Sequence, residues 1–246
     1  MIDIHSHILP MIDDGASSVE MALEMLRKAY DDGTDAIILT PHFAKVYGFN
    51  NPNKKIKELY EDLKYIVKCE RIPIDLYLGC EYLFESKERF EKDIADITLM
   101  NQTKFLLMEF FFDVEGNTIL EAVDTVISHG WTPILAHPER YDCIQSDLDI
   151  AYMAIQKGAL LQMNKGSVLG RYGNTVKETS YDLLNEHAYT FVGSDAHHPR
   201  YRSSLMYEAY EKIRELYGKT YTKQIFVDNA KHLLEIGKKG EDDDEQ

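Results

Sequence analysis

The chain of 246 residues has the length of one large α/β domain, and its 44% hydrophobic and 28% charged residues exclude a disordered or fibrous protein. Its formal net charge of −15, from 42 acidic and 27 basic residues, excludes a non-specific nucleic-acid binder, which needs a basic surface. Three cysteines at unrelated spacings, no recognisable signal peptide and no long apolar run predict a cytoplasmic protein that is not integral to a membrane.

Short apolar runs alternate with amphipathic segments of helical period along the whole chain. The runs predict seven strands, at residues 1–5, 35–40, 74–79, 104–110, 131–137, 159–163 and 189–194. Helices are predicted between them, the first starting at a capping box formed by Ser17 and Glu20. Because strand and helix alternate, we expect parallel βαβ units in a doubly wound sheet or a closed barrel. Periodicity alone does not choose between these architectures.

No linker rich in glycine, proline or serine divides the chain, which predicts a single domain. The last stretch, GKKGEDDDEQ, is mostly charged and lacks apolar periodicity. We therefore predict one folded domain over 1–237, followed by an acidic, disordered tail over 238–246.

Residue types that bind metals follow six of the seven predicted strands, where the loops of a βα barrel converge. They are His5 with His7, His42, Glu81, Glu109, His137, and Asp195 with His197. The HxH spacing places the first two histidines on one face of an extended segment, because side chains alternate with a period of two. The turn Asp13-Asp14-Gly15 brings a carboxylate back to the same end. Asp14 is the expected ligand, and Asp13 is expected to cap the turn or the following helix.

With Asp14 these residues make nine donors, too many for one ion, and predict two or three divalent ions bridged by at least one carboxylate. Nitrogen and oxygen donors without a thiolate indicate zinc, manganese or iron. Arg140 and Arg202 follow two of the same strands closely, and a guanidinium is the usual bidentate partner of a phosphate. Arg200 competes for that role. The pattern predicts metal-assisted phosphoryl transfer.

The motifs DIHSHILPMIDDG, TPH, GCE, MEF, AHPER and GSDAHH together resemble the polymerase and histidinol phosphatase (PHP) superfamily. They are most similar to its bacterial manganese-dependent tyrosine phosphatases, which control capsule and exopolysaccharide synthesis. The resemblance covers nearly the whole chain, in order. It implies a distorted TIM-like (β/α)7 barrel with a trinuclear manganese centre, iron and zinc being the alternative metals.

The ligand pattern of this family falls here on three sets of residues. They are His5, His7, Glu81 and Asp195 for one metal, Glu81, Glu109 and His137 for a second, and Asp14, His42 and His197 for a third. The phosphate-binding arginines of the family match Arg140 and Arg202. The resemblance also implies a partner, the tyrosine-rich C-terminal tail of a bacterial tyrosine autokinase, which would recruit the cytoplasmic enzyme to a membrane.

The predicted function is hydrolysis of phosphotyrosine by a metal-activated hydroxide, with Arg140 and Arg202 neutralising the phosphoryl oxygens. No cysteine is followed six positions later by an arginine, so the chain lacks the motif of a cysteinyl-phosphate mechanism. His42 or His197 is a candidate acid for the leaving phenolate, although both are better explained as ligands.

Three alternatives stay open on the sequence. A small-molecule phosphomonoesterase, such as a histidinol phosphatase, uses the same chemistry and differs in the shape of the mouth. Aromatic residues able to receive a phenyl ring there are Phe43, Tyr47, Phe49, Phe111 and Phe112. A non-catalytic phosphotyrosine-binding regulator would not need the complete ligand set. A metal-dependent amidohydrolase usually carries a bridging lysine where this chain has Glu81.

Overall fold

The computed structural model describes the backbone of residues 1–244 and the side chains of residues 1–237, through which strands and helices alternate. The strands are β1 (Ile2–Ser6), β2 (Ala36–Leu39), β3 (His42–Phe43), β4 (Asp75–Leu78), β5 (Glu81–Leu83), β6 (Phe105–Glu109), β7 (Thr132–Ala136), β8 (Leu160–Asn164) and β9 (Phe191–Gly193). The helices are α1 (Val19–Asp31), α2 (Asn53–Cys69), α3 (Lys87–Asp93), α4 (Gly116–Ser128), α5 (Asp142–Ser146), α6 (Asp149–Lys157), α7 (Lys165–Val168), α8 (Asn174–Asn185), α9 (Tyr207–Lys223) and α10 (Asn229–Asp244).

All seven predicted strands are present, and two of them continue after a break as the short strands β3 and β5. The pairing of β2 lapses at Thr40 and Pro41 and resumes at His42, because a proline has no N–H to donate to the ladder. Segments of two or three residues show no periodicity, so the sequence did not predict these additions. They place His42 and Glu81 side by side, since these two residues are partners in the β3–β5 pair.

The strands pair in parallel in the orders β1-β2-β4 and β3-β5-β6-β7-β8-β9. The last strand closes onto the first: a parallel bridge joins Ser6 and Ala196, and the Asp195 amide donates to the His5 carbonyl at 2.8 Å. If β2 with β3 and β4 with β5 count as single interrupted strands, the architecture is a distorted (β/α)7 barrel. The closed form is confirmed, and the C-terminal strand ends surround one mouth.

Apolar side chains fill the barrel, and α10 covers its N-terminal end. The inner cluster comprises Ile2, Ile4, Ala36, Ile38, Met100, Leu107, Ile134, Ala136 and Phe191, together with Ala230, Leu233 and Leu234 of α10. Helix α10 packs closely on the segment before β6. A Cβ on Gly237 would lie only 2.1 Å from the Asn101 carbonyl oxygen, so only glycine fits there. Packing therefore seals this end, and the polar strand ends lie at the opposite one.

Helix α1 begins with a cap one residue later than predicted. The hydroxyl of Ser18 accepts a hydrogen bond from the Met21 amide at 3.2 Å, and the Ser18 backbone is extended, as a capping residue requires. Ser17 instead directs its hydroxyl to the Met21 sulfur at 3.4 Å. The predicted box of Ser17 and Glu20 is therefore wrong by one position.

Within the described residues, no helix combines the length and the apolar character needed to cross a membrane. The tail predicted over 238–246 falls on the end of α10, whose side chains are described only to residue 237, and on two residues outside the described backbone. The domain boundary at 237 and the disorder beyond it stay predictions.

Candidate metal centre

The mouth of the barrel brings together all nine side chains predicted as metal donors. Their ligand atoms form three groups, each with its atoms within 4.8 Å of one another: His7, Asp14, His42 and His197; His5, His7 and Glu81; and His42, Glu81 and Glu109. The remaining two donors adjoin these groups. His137 Nε2 lies 3.0 Å from Glu81 Oε1, and Asp195 Oδ1 lies 3.6 Å from the Nε2 atoms of both His5 and His7.

Glu81, the first residue of β5, lies at the centre of the cluster. Its Oε2 is 3.2 Å from the Nε2 atoms of His5 and His7 and 3.2 Å from His42 Nδ1. Burial alone would raise the pKa of Glu81, but the neighbouring His5 and His42 hold it well below its usual range. The side chain is therefore a charged carboxylate with histidines on several sides, which suits it to bridge two cations.

Hydrogen bonds on the outer ring nitrogen orient three of the histidines. His5 Nδ1 lies 2.7 Å from Gln162 Oε1, and His7 Nδ1 lies 2.9 Å from Asp13 Oδ2. His197 Nδ1 lies 3.0 Å from the backbone carbonyl two residues before it. Because these partners accept, we assign a hydrogen to Nδ1 in each ring, which leaves Nε2 as the nitrogen available to a metal ion. The Nε2 atoms of His5 and His7 are only 3.2 Å apart.

The chemistry of these donor atoms fits divalent cations. Glu81 Oε2, His42 Nδ1 and His197 Nε2 are buried and make no hydrogen bond of good geometry among the described residues, although other donors of the cluster lie 3.0 to 3.4 Å away. Burial lowers the pKa of His5 and His42, but neighbouring carboxylates outweigh it and raise the pKa to about 9 and about 10, respectively. The cluster therefore stabilises positive charge. Converging lone pairs and carboxylates of this kind are compensated by cations that prefer nitrogen and oxygen ligands.

Two donors have left-handed backbone conformations directly after their strands. His137 follows β7 with φ of 37°, and Asp195 follows β9 two residues on with φ of 51°. Such a conformation costs on the order of 1–3 kcal/mol for a residue other than glycine and is typical of functional sites. The strained backbone at His137 and Asp195 costs stability, and it directs both side chains toward the cluster.

The turn after β1 needs a glycine because it packs directly on the strand. A Cβ on Gly15 would lie 2.0 Å from the His7 carbonyl oxygen, closer than any side chain can approach. The close approach holds Asp13 against the His7 ring, where its other oxygen also accepts from the Gly15 amide at 3.0 Å. Asp13 thus caps the turn, as predicted, and orients His7, while Asp14 faces the histidines of the mouth.

Both predicted arginines lie at the mouth and are anchored on Asp195. Arg202 Nη2 is 2.6 Å from Asp195 Oδ1, and Arg140 Nη1 is 3.4 Å from Asp195 Oδ2. The Arg140 guanidinium is also stacked between two aromatic rings, with centroids at 4.4 Å for Phe112 and 4.7 Å for Tyr172. Arg200, the predicted competitor, is exposed and is not among the residues that line the cavity described next.

A cavity of about 430 Å³ opens beside the cluster and is large enough for a phosphorylated side chain. Six of the nine donors and both arginines form its polar side. The apolar side is formed largely by four of the five aromatic residues predicted there, Tyr47, Phe49, Phe111 and Phe112. The fifth, Phe43, is only 1% exposed and packs in the core.

Sequence reasoning missed two residues that hold the site in place, Gln162 and Tyr172. Gln162 carried a signal, because a polar residue inside a predicted buried strand must find a hydrogen-bond partner. It finds several: besides its contact with His5, its amide nitrogen donates to Asn164 Oδ1 at 3.0 Å. Tyr172 lies in the loop after α7, and nothing in the sequence indicates that this loop reaches Arg140.

The closed parallel barrel and the cluster of histidines and carboxylates at its mouth define a metal-dependent hydrolase of the PHP type. The chain belongs to the CpsB/CapC family of capsular polysaccharide synthesis, whose model matches residues 1–235.

The tyrosine-protein phosphatase YwqE of Bacillus subtilis is 33% identical over 236 residues, which cover 95% of this chain and 91% of YwqE. The tyrosine-protein phosphatase CpsB of Streptococcus agalactiae serotype V is 30% identical over 95% of this chain and 98% of CpsB. YwqE of B. subtilis and CpsB of Streptococcus pneumoniae are described as unique metal-dependent tyrosine phosphatases. A crystal structure from that work superimposes on this chain with a TM-score of 0.89. It is 31% identical and covers 96% of this chain and 95% of its own.

Proposed function

We propose that this chain is a metal-dependent protein-tyrosine phosphatase of capsular or exopolysaccharide synthesis. The observation that carries the proposal is the buried Glu81 carboxylate, which is in contact with four histidines at a cavity that two arginines also line. Relatives named tyrosine-protein phosphatases, similar over 95% of the chain, support the reaction.

Three sets of residues are proposed to hold the metal ions. They are His5, His7, Glu81 and Asp195; Glu81, Glu109 and His137; and Asp14, His42 and His197. Manganese is the proposed metal, with iron or zinc as the alternatives. Bound divalent ions lower the pKa of a coordinated water and neutralise phosphoryl charge, which is the chemistry that hydrolysis of a phosphate ester needs.

Arg140 and Arg202 are proposed to bind the phosphoryl oxygens of the substrate. Arg140 is suited to this because Phe112 and Tyr172 hold its guanidinium between two rings, which limits the orientations of its donors. We assign His42 to metal binding rather than to protonation of the phenolate. Its two ring nitrogens both face carboxylates, with Nδ1 3.0 Å from Glu109 and Nε2 3.5 Å from Asp14.

His197 is also assigned to metal binding, because its ring is uncharged and faces the cluster. Burial and the nearby His7 lower its pKa to about 4, so the ring is neutral at physiological pH and has no proton to spare for a leaving group. Its Nε2 lies 3.4 Å from Asp14 Oδ1 and faces the cluster. A neutral imidazole is the form that binds a metal ion, so His197 is ready to bind, whereas His5 and His42 release a proton when a metal ion binds.

The proposed substrate is a phosphotyrosine on the C-terminal tail of a bacterial tyrosine autokinase, reached from the cytoplasm. The cysteines support direct hydrolysis over a cysteinyl-phosphate route, because none of the three lines the cavity. The family match to capsular polysaccharide synthesis supports a substrate in that process.

Metal removal and restoration tests the proposed reaction. Metal-stripped protein should be inactive on a phosphotyrosyl peptide, and added manganese should restore turnover that strongly favours the peptide over histidinol phosphate. Preference for histidinol phosphate would overturn the substrate class. No turnover of either compound by the metal-loaded protein would indicate a binding regulator or an amidohydrolase instead.

Gln162→Leu tests the support of the first metal set. The change keeps the side-chain size but removes the oxygen that holds His5 Nδ1 at 2.7 Å, so His5 loses its fixed tautomer and direction. Partners of this kind are worth about 10–100-fold in metal affinity. We expect the manganese concentration that half-restores activity to rise by about that factor. Gln156→Leu, at an exposed position of α6, is the control, and an unchanged manganese requirement in Gln162→Leu would contradict the role.

A further inference from the structure

Apart from Phe110, which is buried in the core, the four aromatic side chains that line the cavity fall into two pairs with different surroundings. Phe49 stacks on the His42 ring, with centroids 5.6 Å apart and planes at 9°, and Phe112 lies against Arg140. Those two therefore cover groups of the metal centre and the phosphate site. Tyr47 and Phe111 contact each other edge to face, with centroids 5.9 Å apart at 75°. They come from different loops, after β3 and after β6, and together form one wall of the cavity.

This aromatic wall, Tyr47 with Phe111, stands next to the metal donors. Phe111 follows Glu109 by two residues, and both line the cavity. Partial burial and the charges of Glu109 and Asp113 raise the pKa of Tyr47. The Tyr47 side chain is 59% exposed, so a substrate that enters the mouth can bury much of its surface.

The loop that carries Tyr47 is fixed on both sides of it. Lys45 Nζ lies 2.7 Å from Asp93, a carboxylate that is 4% exposed. Ala44 and Phe49 exchange backbone hydrogen bonds at 3.0 and 3.1 Å. A rigid apolar surface loses little conformational entropy when a ring binds to it, so more of the contact energy is available to select the ring.

We propose that the phenyl ring of the substrate lies against Tyr47 and Phe111, and that this pair makes the site prefer aryl over alkyl phosphate esters. The inference rests on the proposed phosphatase function and names the feature of the substrate that this surface selects. A phenyl ring offers a flat apolar face that packs well on an edge-to-face pair. An alkyl ester such as phosphoserine brings no ring and gains nothing from the wall. The phosphate itself is bound by other residues, so affinity for the ring and affinity for the phosphate should separate.

Phe111→Ala and Tyr47→Ala test the wall, using manganese-loaded protein and two non-hydrolysable probes, phenylphosphonate and methylphosphonate. Calorimetric titration gives the dissociation constant of each, and their ratio isolates the contribution of the ring. We expect the preference for phenylphosphonate to fall about tenfold or more in each variant, the usual size of an apolar specificity contact. Binding of methylphosphonate should stay constant. Tyr47→Phe keeps the ring and should keep most of the preference, and Tyr65→Ala, an exposed aromatic on α2, is the matched control.

Steady-state rates on the metal-loaded protein supply the second readout. kcat/KM for a phosphotyrosyl peptide should fall about tenfold in Phe111→Ala, while competitive inhibition by inorganic phosphate is unchanged. If the ratio of the phenylphosphonate and methylphosphonate dissociation constants is unchanged, the role of the wall is wrong and the phosphatase function stands. The same holds if affinity for both phosphonates and for phosphate falls equally. If the wild-type protein does not hydrolyse the phosphotyrosyl peptide at all, the proposed function fails, and the role of the wall in substrate choice fails with it.

Discussion

Glu81→Gln is expected to lower kcat/KM for a phosphotyrosyl peptide by a factor on the order of 10³ or more, because it removes the carboxylate shared by two of the three donor groups at the mouth. The amide keeps the shape of the side chain but carries no charge, and its NH₂ group has no lone pair with which to bind a cation. Metal ions contribute several kcal/mol to phosphoryl transfer, and about 1.4 kcal/mol corresponds to each factor of ten.

Bound metal should fall together with activity, which elemental analysis of the dialysed protein measures directly. Circular dichroism establishes whether the Glu81→Gln protein is folded. Glu58→Gln, at an exposed position on α2, removes the same charge far from the donors and should behave as wild type. If Glu81→Gln keeps its full metal content and its rate, the residue does not bridge the ions.

Arg140→Lys is expected to lower kcat/KM by about 10²-fold and to weaken competitive inhibition by inorganic phosphate. The positive charge remains, but lysine has neither the planar fork that matches a phosphate nor the flat surface that Phe112 and Tyr172 hold at 4.4 and 4.7 Å. Loss of one well-placed donor to a developing negative charge typically costs about 10²–10³-fold.

The exposed Arg200 provides the matched control for this change. Arg200→Lys alters the same functional group on the loop that also carries Arg202, yet Arg200 is not among the cavity-lining residues, so the rate should not change. Equal losses in the two variants would show that the effect is general electrostatics rather than phosphate binding by Arg140.

The sequence predicts the strands and the donors well because both follow simple rules. A buried parallel strand is a short apolar run, and polar residues at the ends of such strands meet at one edge, so His42 and Glu109 could be assigned to the mouth before any coordinates. Periodicity did not predict closure of the barrel, which only the family resemblance implied, because closure depends on the bridge between Ser6 and Ala196 at the two ends of the sheet.

The contacts that orient the site were harder to predict than the site itself. Asp13 was expected to cap a turn, and its bond to His7 depends on how closely the Gly15 backbone packs on β1. The stacking of Tyr172 on Arg140 joins loops that are distant in sequence. Composition and spacing describe neighbours along the chain, whereas these contacts are set by tertiary packing.

The junction of β1 with the end of β9 determines when the metal centre can assemble. His5 comes from the first strand and Asp195 from the segment after the last, and the Asp195 amide is bonded to the His5 carbonyl. A ribosome must therefore release nearly the whole barrel before these two donors can meet, and no N-terminal fragment that ends before His197 contains the complete set. Contacts between residues so distant in sequence are entropically costly to form and slow folding. Assembly of the donor cluster is thus coupled to completion of the fold, and a chain that ends before His197 lacks part of the cluster.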